Sequence, residues 1–120
     1  MDQLKILCVD DEPLNLRILE RKLRVNFNVV TASSGDEALN FLDADPEISM
    51  IITDMRMPGM NGLQLIEKAT SKYQNKKYYM LSGYAVNEEI QNALDAKMIE
   101  RYFEKPADIQ EIEKVLKESL

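Results

Sequence analysis

Short, nearly continuous apolar runs alternate along the chain with stretches in which leucine, isoleucine or alanine returns every three or four positions. The runs predict strands and the spaced stretches predict helices. Leu4 to Val9 reads as the first strand. Pro13 then suits a first helical turn, and Leu16, Leu19 and Leu23 mark a helix from Leu14 to about Val25. Asn28 to Ala32 is a second strand, rich in β-formers. Ser33 or Ser34 caps a second helix with Ala38, Phe41 and Leu42 inward, and Asp45-Pro46 ends it.

Ile48 to Ile52 predicts a third strand buried on both faces. It stops on Asp54, and the Met-Pro-Gly-Met-Asn-Gly that follows is turn chemistry. There Pro58 fixes φ, Gly59 and Gly62 permit positive φ, and Asn61 can cap a helix. That third helix buries Leu63, Ile66 and Ala69. Tyr78 to Leu81 predicts the fourth strand, ending on Ser82-Gly83. Asn87 caps the fourth helix, with Glu88 and Glu89 in its first turn and Ile90, Ala93 and Leu94 inward. Arg101 to Glu104 is a short fifth strand before Lys105-Pro106. Asp108 with Glu111 has the spacing of a capping box, and Ile109, Ile112 and Leu116 carry a last helix to the chain end. No effector segment is expected after it within these 120 residues, whether the chain stands alone or is excised from a larger protein.

Strand and helix thus alternate five times with short connections, the pattern of a parallel sheet covered on both faces. Right-handed crossovers leave few arrangements. The expected fold class is α/β: a flavodoxin-like (βα)5 three-layer sandwich with strand order 2-1-3-4-5, its switch point between strands one and three. At 120 residues the chain is expected to form one domain, residues 1–120.

Charge and composition then narrow the function. The formal net charge is −6, which argues against a nucleic-acid surface. No apolar run approaches a membrane span, and the first residues lack a signal-peptide core, so a soluble, cytoplasmic protein is expected. The one cysteine, Cys8, sits in an apolar strand and is expected in the core. Histidine is absent. Any phosphoryl donor that works through histidine must therefore be another molecule.

In this fold the strand ends put Asp10 and Asp11, Asp54, Ser82 and Lys105 on one rim of the sheet. Three carboxylates so close repel unless a cation lies between them. Mg2+, which takes oxygen ligands and keeps waters, is the expected cofactor. One carboxylate is then placed as a nucleophile toward phosphorus, giving an aspartyl phosphate. Phosphoryl transfer asks for in-line geometry and charge neutralisation, which Mg2+ and the Lys105 ammonium supply, with a hydrogen bond from Ser82.

These residues, quoted in order as Val-Asp10-Asp11-Glu12, Thr-Asp54-Met-Arg-Met-Pro58-Gly, Leu-Ser82-Gly and Lys105-Pro106, closely resemble the receiver domains of bacterial two-component response regulators. The resemblance covers the whole chain. It implies that Asp54 is the phosphoacceptor and that Asp11 and Asp54 ligate Mg2+. Asp10 would act largely through a bound water, and the Arg56 carbonyl would complete the set. It further implies a switch hydroxyl at Ser82, phosphoryl pairing by Lys105, an inward-rotating aromatic at Tyr102 and a cis Lys105–Pro106 bond. The implied partner is a sensor histidine kinase or phosphotransfer protein. The implied output face is helix four, strand five and helix five, acting on an unknown output domain or protein, with a phosphorylation-dependent homodimer as one form. The expectation is a switch, not an enzyme with its own substrate turnover.

Blander readings stand beside these. Asp10 and Asp11 also suit capping of the first helix, Tyr102 suits a half-buried strand position, and Met55, Met57 and Met60 suit flexible filler. In the same family the side chains two residues after the acceptor and two after the switch hydroxyl flank the path of hydrolytic water. Here they are the bulky Arg56 and Tyr84, so slow self-hydrolysis is expected. The main rival is a phosphorylation-independent interaction scaffold of the same fold. A small phosphatase fits less well, since Asp10 and Asp11 are adjacent instead of spaced as Asp-x-Asp. A flavin or dinucleotide carrier would need a phosphate-cradling loop where Asp-Asp-Glu-Pro stands.

Overall fold

A computed structural model describes residues 3–118. Five strands alternate with five helices: β1 (Lys5–Val9), α1 (Pro13–Leu23), β2 (Asn28–Ala32), α2 (Gly35–Ala44), β3 (Ile48–Thr53), α3 (Gly62–Lys72), β4 (Lys77–Ser82), α4 (Glu88–Asp95), β5 (Arg101–Glu104) and α5 (Ile109–Glu118). The strands form one sheet in the order β2-β1-β3-β4-β5, and each neighbouring pair is parallel. This is the expected flavodoxin-like arrangement.

Alternation along each strand divides the core in two. Leu7 and Val9 of β1, Ile51 of β3 and Met80 of β4 pack with Leu42 of α2, Leu65 and Ile66 of α3 and Ile90 of α4. Ile6, Cys8, Ile52 and Tyr79 point the other way, onto Leu19 and Leu23 of α1 and Ile112 and Leu116 of α5. Central strands buried on both faces must be apolar throughout, which is why β1 and β3 read as continuous runs. The Cys8 thiol lies among these residues, and burial pushes its pKa up to about 12, out of reach of ordinary redox chemistry.

Several boundaries move for identifiable reasons. Helix α1 stops at Leu23, short of Val25, because the Asn26 and Phe27 amides both turn back to the Leu23 carbonyl, at 3.1 and 3.0 Å. Phe27 is thereby buried and Val25 left exposed. Asp10 and Asp11 do not cap α1: its N-cap is Glu12, with no side-chain capping bond. The Asp108 carboxylate does accept from the Glu111 amide at 3.2 Å, but the box stays half-made because the Glu111 carboxylate turns to Arg101. The expected run of α5 to Leu120 ends outside the described residues. Ser34 caps α2, and Asn61 with Gln64 forms a complete capping box on α3. Among the described residues, no helix is long and apolar enough to cross a membrane.

Candidate functional site

Parallel pairing brings the carboxyl ends of β1, β3 and β4 together. The Asp54 amide bonds the Val9 carbonyl at 2.9 Å, and the Asp10 amide bonds the Ala32 carbonyl at 3.2 Å. Sheet hydrogen bonding thus continues for one residue past β1 and β3 and fixes the backbone of both acids. Their carboxylates, with that of Asp11, converge so that one oxygen of each lies within 4.8 Å of the others. Asp10 is 6% exposed and Asp54 9%, so water screens these charges poorly.

The protein supplies counter-charge of its own. The Lys105 ammonium reaches Asp10 Oδ2 at 2.8 Å and Asp54 Oδ2 at 3.2 Å. Burial alone would lower the lysine pKa, but the bond to Asp10 and the charges of Asp54 and Asp10 outweigh it and raise the pKa above its ordinary value. Lys105 is placed by the cis Lys105–Pro106 bond and by its amide, which bonds the Ser82 carbonyl at 2.9 Å. The other oxygens of Asp10 and Asp54 are held by backbone: Asp54 Oδ1 accepts from the Met55 amide at 2.7 Å and Asp10 Oδ1 from the Glu12 amide at 3.0 Å.

Ser82 ends β4 fully buried, its hydroxyl accepting weakly from the Tyr84 amide at 3.4 Å. The Tyr102 hydroxyl is buried and lies beside Ser82 without meeting hydrogen-bond geometry with any described residue. Burial raises its pKa, and the Ser82 hydroxyl pulls the other way. Met57 is buried, while Met55 and Met60 pack half-buried against the core beneath the loop, as filler would.

The residues singled out on the rim are therefore brought together. Three features were not foreseen. First, Gly59 and Gly62 both permit positive φ, but of the two only Gly59 adopts it, at +76°. Gly62 is needed for close approach: a Cβ there would strike the Asp54 carbonyl group and come within 3.0 Å of Met55 Cα. Second, the Thr53 hydroxyl donates to that same Asp54 carbonyl at 2.9 Å. Third, the Arg56 guanidinium stacks on the Tyr84 ring, 3.9 Å from its centroid, tying the loop after β3 to the loop after β4.

A donor set made only of carboxylate oxygens, in a cluster this tight, fits a hard divalent cation such as Mg2+. A hollow of about 470 Å3 adjoins the acids, floored by Leu19, Leu81 and Ile109 and edged by Ile18 and Pro106, with Asp10 and Lys105 on its wall. A wider one, about 900 Å3, lies at the other end of β1 beside Lys5 and Phe27, away from the acids.

A doubly wound parallel sheet with an acidic pocket at its switch point defines a class of small α/β proteins. Within that class, a family description, response regulator receiver domain, matches residues 6–117. A chemotaxis protein CheY homolog of Campylobacter jejuni is 36% identical over 121 residues, covering 98% of this chain and 89% of that protein. The hydrogenase transcriptional regulatory protein HoxA of Cupriavidus necator is 35% identical over 104 residues, and the match covers 87% of this chain but 21% of that regulator. The response regulator protein TrrA of Thermotoga maritima, solved in complex with Mg(2+)-BeF, superposes with a TM-score of 0.84 at 27% identity over 100% of both chains. The chain belongs to the response regulator receiver domain family.

Proposed function

We propose that this receiver domain is a phosphorylation-dependent switch that takes a phosphoryl group onto Asp54 from a partner histidine kinase or phosphotransfer protein. The observation that carries this reading is the convergence of Asp10, Asp11 and Asp54 with the Lys105 ammonium at the strand ends. An Asp54 carboxylate oxygen attacks phosphorus in line. The P–N bond of the donor phosphohistidine breaks, and the imidazole leaves with the electron pair and a proton from solvent. Asp11, Asp54 and the Arg56 carbonyl would hold Mg2+ directly and Asp10 through a water, the ion supplying charge neutralisation at the phosphoryl oxygens. That TrrA, a protein of the same fold, was solved in complex with Mg(2+)-BeF supports Mg2+ as the ion. Lys105 follows the charge from carboxylate to phosphoryl oxygen, and Ser82 donates to another.

Donor approach is supported by the apolar hollow beside Asp10 and by the exposed Leu14 and Ile18 on α1. For the output, phosphorylation adds roughly one negative charge beyond the carboxylate and new acceptor oxygens. A near-complete switch asks these to favour the active state by about 5 kcal/mol. Ser82 moving toward the phosphoryl group shifts its contact with Tyr102, and through β5 the face formed with α4 and α5. Titration with beryllium fluoride and Mg2+, followed by amide NMR, tests this. Shifts are expected at Ser82, Tyr102 and along α4, β5 and α5, and only with both additives. Shifts confined to the acids, with the α4–β5–α5 face unmoved, would favour the scaffold instead.

The Arg56–Tyr84 stack spans the loops on either side of Asp54 and supports slow self-hydrolysis. Phosphate loss from the R56A/Y84A variant is expected to be several times faster than from the wild type. An unchanged half-life removes this part of the reading.

A further inference from the structure

Besides Lys105, a second cationic side chain stands close in sequence to the acid pocket, and its contact is elsewhere. Arg56 stands two residues after Asp54 on the same loop, with an exposed side chain. A guanidinium is built for bidentate pairing with carboxylates, and three carboxylates converge beside it against a single ammonium. Yet among the described residues Arg56 makes no ion pair. Its contact is the Tyr84 ring, 3.9 Å away and contributed by a different loop.

We propose that Tyr84 holds the Arg56 guanidinium out of the acid pocket, leaving the oxygens of Asp10, Asp11 and Asp54 open to a divalent cation. An arginine that swung onto those oxygens would neutralise them and occupy the positions a metal ligates, so it competes with Mg2+. The ring offers the guanidinium an alternative resting place through its quadrupole. Tyr84 is thus a positioning residue that acts on the metal site through Arg56 and touches neither metal nor phosphate. This rests on the reading that the acids take Mg2+.

The size of the effect is bounded by the stack itself. An exposed cation–π contact biases the arginine about two- to fivefold, which caps the change in metal affinity. Tyr84 is half exposed, so its removal opens no core. The test is the Mg2+ dissociation constant, measured by calorimetry on the unphosphorylated protein for the wild type, Y84A, Y84F, R56Q and Y84A/R56Q. Y84A is expected to bind measurably more weakly, by at most about two- to fivefold, and Y84F, which keeps a ring, like the wild type. In the R56Q background, adding Y84A is expected to change nothing, because the competing cation is gone. Arg56 would ligate through its backbone carbonyl, which R56Q retains. Equal affinity for Y84A and the wild type, or a Y84A loss that persists undiminished in the R56Q background, overturns the proposal. A wild-type protein that binds no Mg2+ overturns both this proposal and the reading beneath it, and is told apart because it fails before any substitution is made.

Discussion

Replacing Lys105 with methionine is expected to destabilise the metal-free protein by about 2–3 kcal/mol and to slow phosphoryl uptake by about 10²- to 10³-fold. The stability loss follows from what the ammonium faces. Asp10 and Asp54 are nearly buried, and Lys105 bonds both, at 2.8 and 3.2 Å. Methionine keeps most of the apolar stem, so packing changes little while two poorly solvated carboxylates lose their counter-charge. A fully buried pair broken in this way costs about 3–5 kcal/mol. The Lys105 side chain is 23% exposed, and that residual solvent screening brings the expectation down. The kinetic loss follows from the same charge being absent where the transferring group becomes more negative. Urea unfolding with and without Mg2+ checks the first effect, and Mg2+ is expected to narrow the gap because it stabilises only the folded acids. Uptake from acetyl phosphate checks the second. Unchanged unfolding of K105M would mean that the ammonium is not the counter-ion of the pocket.

The sign of the lysine's pH dependence is also set. Because its folded pKa is raised, its stabilising contribution is fully present below the ordinary value near 10.5 and is lost as pH climbs through the folded value. Across the neutral range the pocket therefore keeps its ammonium.

Much of this was legible in the chain because parallel strands buried on both faces have little freedom of composition. β1 and β3 announce themselves as apolar runs, and each ends where an acid interrupts it. The strand order and short connections then place Asp10, Asp11, Asp54, Ser82 and Lys105 on one rim before any distance is known. Local chemistry was legible too: Ser34, Asn61 and Asn87 each cap the helix that follows.

What could not be read depends on how loops meet in space. Lys105 and Asp10 are 95 residues apart, and nothing local says that the ammonium binds two acids at once. Arg56 and Tyr84 were visible as bulky neighbours of the site, but not as a stack, because loop-to-loop approach is set by packing beneath them. Gly62 looked like one more turn glycine, whereas the reason for it is the Asp54 carbonyl lying where a Cβ would go. Glu111 had the right spacing for a capping box, and Arg101 of the neighbouring strand drew it away. In each case a tertiary partner outweighed a local preference.

The largest effect of all is expected at Asp54, since replacing the nucleophile removes the reaction and not merely a contribution to it. Asparagine is nearly the same shape, keeps an oxygen for the Met55 amide at 2.7 Å and removes the nucleophilic carboxylate. D54N should also fold at least as well as the wild type without metal, because one of three converging charges is gone. The decisive measurement is the intact mass of both proteins after incubation with acetyl phosphate, with and without Mg2+. The wild type is expected to gain the mass of one phosphoryl group in Mg2+ alone, and D54N to gain none in either condition. An adduct that persists in D54N, or a wild-type protein that binds Mg2+ yet gains no mass, would contradict the account.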